Sequence, residues 1–394
     1  MKVLYLTNKP IYPSVDGGTV AMGNMLECLM RQEIEVKHLF LSTQKHPSSP
    51  NEYPEYLRNA ILPEGAYVNT KVTVWGAFKY LFKKGSYNIE RFRSSQMKEL
   101  IVSTLRNGHY DYVLLDSLYV ALYAETIRSN YKGKIYLRAH NVEHQIWSDL
   151  AVNTKTLIKK LYLHKLAQDL KEYEFTVLNK MDGILTLSEK DTEALKNWNV
   201  SVPIKTIPVA IPVASDVSSF SKKNSFFHLG SMNWKPNMEA VERLLRIFPE
   251  IKKKLPDAEL YIAGSNNQEM KKTINENGIY YDGYIENLSE YCRNKGILVS
   301  PILSGSGIRI KILEMMALGI PVITTDIGAQ GIEHENSGCI RIANTDSELI
   351  QACLELAQDS SKRSQIGSRG MHYIRNKHNI DTISKEIIEF IRNK

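Results

Sequence analysis

Short runs of β-branched and aliphatic residues alternate along this chain with longer segments of helical period, and the alternation restarts after a serine-rich gap. In the first half, Lys2–Thr7, Glu35–Leu41, Asp111–Asp116, Lys134–His140 and Gly183–Ser188 read as strands, and Val20–Arg31 and Gln96–Arg106 as helices. Residues Ala214 to Ser225 hold five serines in twelve positions and no apolar periodicity, the composition of a linker. Beyond it Ser225–Gly230, Glu259–Gly264, Tyr280–Ile285, Gly296–Pro301 and Pro321–Asp326 read as strands with helices between them. Strands joined through helices pair in parallel, because a parallel connection needs a long crossover. The expectation is an α/β protein of two doubly wound domains, residues 1–213 and 214–379. An amphipathic closing helix near Asp381–Asn393 can pack back on the first domain or stay on the second. A length of 394 residues suits two cores, since one core rarely grows past about 250–300 residues.

Composition narrows the function classes. Hydrophobic residues make up 43% and charged residues 24%, which argues against disorder. The net charge of +7 over so long a chain is too mild to call for nucleic acid, yet it suits an anionic ligand or membrane surface. Cys28, Cys292, Cys339 and Cys353 form no CxxC, so neither a disulfide scaffold nor a zinc ribbon is expected, and a reducing compartment is. The opening apolar run is too short for a secretory signal, and no apolar stretch approaches the 18 or so residues of a membrane span. A cytoplasmic protein, peripheral at most on the inner face of the cell membrane, is the expectation.

Open α/β sheets bind ligands just beyond the carboxyl ends of their strands, so the residues after each strand carry the information. The strongest segment there is Ser304-Gly305-Ser306-Gly307-Ile308-Arg309-Ile310-Lys311-Ile312-Leu313-Glu314, a glycine-rich turn opening a helix. The glycines let backbone approach a ligand, and the helix start directs N–H groups at an anion. Residues 308, 310, 312, 313 and 315–318 are all apolar, so Lys311 and Glu314 stand on a helix that is otherwise buried. Such charges are costly unless paired or liganded, and either an intrahelical pair or a site for phosphates plus a diol satisfies them.

Residues 304–331 resemble the donor-nucleotide segment of the retaining GT-B glycosyltransferases of group 1, also called family 4. The resemblance implies two Rossmann-like domains facing across a cleft, the second holding a nucleotide-sugar and the first supplying the acceptor side. It makes Glu314 the acceptor of hydrogen bonds from ribose hydroxyls. Where the family usually has a second glutamate on the sugar, this chain has Ser306, and backbone N–H groups of Ser306, Gly307 and Ile308 would contact the sugar. Arg309 and Lys311 would neutralise the diphosphate. Arg138-Ala139-His140-Asn141-Val142-Glu143-His144 is similar to a motif whose histidine, here His140, lies over the donor sugar, with Asn141 and Glu143 toward the acceptor. Asp16-Gly17-Gly18 resembles the family's glycine pair near acceptor and donor phosphate. In Gly230-Ser231-Met232-Asn233-Trp234-Lys235-Pro236-Asn237, Lys235 is the available cation for the diphosphate, and Tyr284 and Ile285 match the turn that reads the base.

No Asp-x-Asp occurs, so no carboxylate pair is present to hold a divalent metal on a diphosphate. His140 and His144 lack a third ligand of suitable spacing, so no metal and no other cofactor is expected. The absence of GxGxxG after the first strand and of GxxxxGK[ST] disfavours a dehydrogenase and a P-loop NTPase. The reading is sugar transfer from a nucleotide-sugar to a glycan or lipid-linked acceptor in surface polysaccharide or glycoconjugate synthesis. A nucleotide-sugar-binding protein without turnover and a nucleotide-sugar 2-epimerase are the alternatives. Residues 71–106 carry Lys71, Lys79, Lys83, Lys84, Arg91, Arg93, Lys98 and Arg106 among Trp75, Phe78, Tyr80, Leu81 and Phe82, a mixture that suits an anionic membrane surface or a solvated basic face.

Overall fold

The computed structural model of the protein describes residues 1–73, 75–76, 80, 85–213, 224–264, 278–285, 287–293, 295–305, 307–335 and 337–392. The chain divides into two compact units, Met1–Ala210 with Ile380–Lys394, and Ile211–Asn379. Both are parallel-sheet α/β units. Of the serine-rich linker expected at 214–225, residues 214–223 lie outside the described residues.

In the first unit, β1 (Lys2–Thr7), β2 (Glu35–Ser42), β3 (Glu64–Tyr67), β4 (Tyr112–Asp116), β5 (Lys134–Ala139), β6 (Gly183–Thr186) and β7 (Ile204–Thr206) form one sheet in the order 3-2-1-4-5-6-7. Every adjacent pair is parallel. The order reverses between β1 and β4, where Thr7 pairs with Asp116, so their carboxyl ends make the switch point. The helices that matter below are α1 (Gly17–Arg31), α2 (Ser95–Asn107), α3 (Glu143–Val152), α4 (Leu157–Leu178) and α5 (Glu189–Asn197).

In the second unit, β8 (Ser225–Leu229), β9 (Glu259–Ala263), β10 (Ile279–Gly283), β11 (Ile297–Ser300), β12 (Val322–Thr324) and β13 (Arg341–Ile342) follow the order 10-9-8-11-12-13, again all parallel. Its switch point lies between β8 and β11. The helix α6 (Lys235–Lys254) follows β8, and α7 (Ile310–Ala317) follows β11. Arg309 is the residue capping α7.

Among the sequence-predicted strands, Lys2–Thr7 matches β1, Glu35–Leu41 stops a residue short of the end of β2, and most of the others overrun the observed ends by a residue or two. His140, Gly230 and Pro301 therefore stand in the loops just past β5, β8 and β11. The short strands β3, β7 and β13 were not predicted. All three are edge strands of two to four residues, and an edge needs no continuous apolar run. The four cysteines are buried thiols without disulfide partners.

The closing helix, Ile380–Arg392, belongs to the first unit. Its Ile383, Ile387, Ile388, Phe390 and Ile391 are buried in one cluster with Met22, Met25, Leu26 and Leu29 of α1 and Tyr136 of β5. The Tyr136 hydroxyl donates to the Ile391 carbonyl at 3.0 Å, and Arg31 pairs with Asp381 at 2.8 Å. Truncating a buried isoleucine removes its transfer energy and leaves a cavity. Ile387→Ala should therefore lower the stability of this unit by about 2–5 kcal/mol, read as a shifted denaturant midpoint. An unchanged midpoint would show that the helix is not part of the core.

Candidate functional site

At the first switch point the residue closing β4 is Asp116, wholly buried beside Arg138 of β5, which is 2% exposed. Arg138 Nη1 lies 3.1 Å from Asp116 Oδ2 and donates to the Ala21 carbonyl of α1 at 3.0 Å. The Tyr5 hydroxyl, from β1, also donates to Asp116 Oδ2, and His140 Nε2 meets Oδ1. Burial alone would raise the Asp116 pKa, but Arg138 and then His140 hold it well below the usual carboxylate range. One carboxylate thus orients His140 and ties three strands to α1.

Asp16 caps α1, accepting from the Thr19 N–H at 2.9 Å in a capping box. Its carboxylate also meets Lys9 Nζ at 2.7 and 2.8 Å and His46 Nε2 at 2.8 Å. Burial opposes ionisation there, and His46 and Lys9 more than offset it, so the group stays ionised. Gly17 and Gly18 form the first turn of α1. A Cβ at Gly18 would come within 2.5 Å of Lys9 Nζ, so the missing side chain keeps that lysine's route to Asp16 open.

Past His140, Asn141 and Glu143 lead into α3. Glu143 Oε2 accepts from the Tyr119 hydroxyl at 3.0 Å, and Asn141 hydrogen-bonds the same carboxyl. Glu174 of α4 accepts from the N–H groups of Glu143 and His144 at 3.0 and 3.1 Å, and from His144 Nδ1 at 2.8 Å. His144 is buried, its ring centroid 4.6 Å from that of Trp198, so it serves this cluster rather than a metal. Burial, then the neighbouring Glu174 carboxylate, pushes the Glu143 carboxyl up to about 7 against the pull of Tyr119 and Asn141.

In the second unit the loop after β8 and the loop after β11 meet. The Arg309 guanidinium lies 5.2 Å from the Trp234 ring centroid, and Ser304 Oγ donates to Glu239 Oε2 of α6 at 2.8 Å. Gly305 and Gly307 hold φ of +99° and +83°, left-handed geometry that other residues rarely take. They curl the turn so that Arg309 donates back to the Gly307 and Ser304 carbonyls at 3.2 and 3.4 Å. Ile308 packs over Gly331, where a Cβ would come 2.5 Å from Ile308 Cγ1. Ser306 lies outside the described residues. Burial pulls the Arg309 pKa down to about 10, as for a cation with little water around it. Lys235 opens α6 with its Nζ 3.3 Å from Glu239 Oε1 and its side chain 83% exposed. Tyr284, exposed, and Ile285 follow the edge strand β10, two strands from the switch point.

Glu314 sits in the middle of α7. Its Oε2 is buried and has no hydrogen-bond partner among the described residues, and no ion pair within 4.0 Å joins it to Lys311 there. Burial raises its pKa while Lys311 lowers it. A buried unsatisfied carboxylate oxygen costs about 1–3 kcal/mol or more, so a native helix that keeps one calls for a reason. Among the described residues no cluster of three His, Cys, Asp or Glu side chains is arranged to hold a metal.

Residues 223–359, which contain β8, α6, the glycine-rich turn and α7, match the family described as "Glycosyl transferases group 1". Over that segment the chain is similar to the group 1 glycosyltransferases. Its relative from Klebsiella pneumoniae, an "Uncharacterized 44.6 kDa protein in cps region", is 23% identical over 98% of this chain and 99% of that one. The structure of a point mutant of TarM from S. aureus, in complex with Fondaparinux, α-GlcNAc-glycerol and UDP, superposes with a TM-score of 0.71 at 13% identity, covering 99% and 100% of the chains. The pneumococcal O-GlcNAc transferase GtfA in complex with UDP and GlcNAc superposes at 0.68 and 13% identity, covering 100% and 99%. These likenesses establish the GT-B fold of the transferase.

Sequence reasoning singled out Arg138, His140, Glu143, His144, Ser304 and Lys235 but missed Asp116 and Tyr5 beside the first two, Tyr119 and Glu174 beside Glu143 and His144, and Glu239 beside Ser304 and Lys235. One signal was available. The apolar runs of β4 and β5 end in Asp116 and near Arg138, opposite charges in register on adjacent strands.

Glu143 makes a measurable claim. Its folded pKa of about 7 exceeds the free-chain value of 4.5, so the folded transferase keeps a proton that the unfolded chain releases. Stability contributed by that proton is lost as pH rises from about 4.5 through about 7. In Glu143→Gln the loss disappears, and the gap between wild-type and variant urea midpoints should change across that window and be flat above it. Parallel curves throughout would refute the shift.

Proposed function

We propose that the transferase moves a sugar from a uridine diphosphate sugar to a glycan or lipid-linked acceptor, with retention, in surface polysaccharide or glycoconjugate synthesis. The observation that carries the reading is Glu314. Its buried Oε2, unpartnered among the described residues, lies a turn past a glycine-rich loop and the cations Arg309 and Lys311, at a switch point. Two adjacent hydroxyls are the donors such an oxygen lacks, and a ribose supplies them. The UDP held by TarM and GtfA supports uridine, and the Klebsiella relative's "cps region" supports a polysaccharide role. Retention rests on the group 1 resemblance.

In this reading Arg309, Lys311 and the start of α7 stabilise the departing diphosphate, and Lys235, Gly17 and Gly18 lie near its phosphates. Backbone N–H groups of Ser306, Gly307 and Ile308 contact the sugar, and Tyr284 and Ile285 flank the base. His140 lies over the sugar, with Asp116 orienting its ring. Asp16, Asn141 and Glu143 face the acceptor. The leaving phosphate takes the acceptor proton, so no side-chain base is required. The enzyme works in the cytoplasm, against the inner face of the cell membrane if the acceptor is lipid-linked. Residues 71–106 were the expected contact with that surface. Of these, Phe78, Lys79, Leu81, Phe82, Lys83 and Lys84 lie outside the described residues, Arg91 donates to the Thr70 carbonyl at 2.7 Å, and Arg93 pairs with Glu90.

Each charge-assisted hydrogen bond from a ribose hydroxyl is worth about 1.5–3 kcal/mol. Glu314→Ala should therefore weaken UDP binding at least about tenfold by calorimetry and weaken 2′-deoxy-UDP binding less. If folded Glu314→Ala keeps the wild-type preference for ribose over deoxyribose, the assignment is wrong. With the diphosphate neutralised by Arg309 and Lys311, transfer should persist in EDTA. Activity abolished by chelator and restored by magnesium or manganese would overturn that part.

A further inference from the structure

The tip end of the hairpin of α3 and α4 has two very different faces. On its inner face Ala151, Leu163 and Leu166 close over Tyr87, with Tyr80, Trp147 and Tyr162 packed around them. On its other face the apolar residues are exposed. Leu150 and Val152 end α3 at 48% and 61% exposure, and Leu157, Ile158 and Leu161 open α4 at 69%, 81% and 62%. Five large apolar side chains within twelve residues form a patch that isolated exposed hydrophobics do not explain.

Past Asp149, which directly precedes Leu150, the charges of the tip are of one sign. Residues 150–168 include Lys155, Lys159, Lys160, Lys165 and His164 and no aspartate or glutamate. Lys165 pairs with Asp169, whereas Lys155, Lys159 and Lys160 have no ion-pair partner among the described residues. Lysine stems can lie along an apolar surface while their ammonium heads reach outward, which suits the boundary between acyl chains and anionic headgroups. Thr73, two residues before Trp75, which is 79% exposed, is tied to that inner face, because its N–H donates to the Tyr87 hydroxyl at 3.1 Å.

We propose that the tip of this hairpin, Leu150 to Leu161, docks the transferase on an anionic lipid bilayer by dipping Leu157, Ile158 and Leu161 among the headgroups while Lys155, Lys159 and Lys160 meet lipid phosphates. A protein partner of the same size would more often present a mixed rim of charge, whereas an anionic bilayer matches a patch whose charges from Leu150 to Leu161 are all lysine. The inference deepens the membrane part of the proposed function and moves the contact from residues 71–106 to the hairpin. It is independent of the transfer chemistry.

Vesicle flotation with the full chain tests it. Wild-type protein should float with vesicles of equal phosphatidylglycerol and phosphatidylcholine, much less with phosphatidylcholine alone, and less in high salt. Leu157→Asp with Ile158→Asp should weaken anionic-vesicle binding by at least about tenfold at an unchanged thermal midpoint, and Lys155→Gln, Lys159→Gln and Lys160→Gln should each weaken it roughly fivefold. Because the native cysteines are buried, an environment-sensitive dye on Ile158→Cys should shift to the blue when anionic vesicles are added. Binding that survives the double aspartate variant and falls on neutralising Lys71, Lys98 and Arg106 instead would overturn the hairpin while sparing the membrane reading. No binding of the wild type to either vesicle would overturn both. A solution dimer that Ile158→Asp dissolves would assign the tip to self-association and overturn the proposal.

Discussion

A carboxylate sealed under the ends of three strands sets the terms for the first unit. Asp116 is wholly buried, and an ion there is tolerable only with its charge answered and its oxygens bonded. Arg138 and His140, from the end of β5, and Tyr5, from β1, answer it. Because Arg138 also bonds the Ala21 carbonyl, the requirement extends to how α1 lies across the sheet. The position of Gly17 and Gly18 and the orientation of His140 both follow from neutralising one charge.

The second unit uses the opposite device. Its charged groups are held in poorly solvated places, and one oxygen of Glu314 goes unbonded among the described residues. Burial lowers the Arg309 pKa and raises that of Glu314, each shift marking free energy that the fold gives up to keep the group where it is. A fold tuned for stability alone would place neutral side chains there. The glycine-rich turn with two left-handed residues is a second local concession at the same point. Concessions concentrated at the carboxyl ends of β8 and β11 are what a ligand site looks like before its ligand is considered.

The parts legible in the sequence are those where local pattern and function coincide. Central strands announce themselves because both faces are buried, and Lys311 and Glu314 stand out because they interrupt an apolar helix. Edge strands such as Arg341–Ile342 carry no such pattern. The missing site residues fail for another reason. Tyr5 reaches Asp116 over 111 positions, Ser304 reaches Glu239 over 65 and His144 reaches Glu174 over 30. Nothing in the local composition around Glu174 or Glu239 distinguishes them from solvated helix carboxylates. Only the crossing of helices and strand ends gives them a role.

The closing helix also governs the order in which the protein can be completed. The chain leaves the first unit near Ala210, builds the whole of the second, and returns at Ile380, with Ile211 and Asn379 bridged side by side at the two crossings. Ile383, Ile387, Phe390 and Ile391 therefore leave the ribosome after every residue of the second unit, yet they close the core that begins at Val3. Domains usually mature from the amino terminus during synthesis. Here the second unit can finish first. The earlier-made unit must wait with the apolar face of α1 uncovered, so a nascent chain stalled before residue 380 would be a natural client for chaperones.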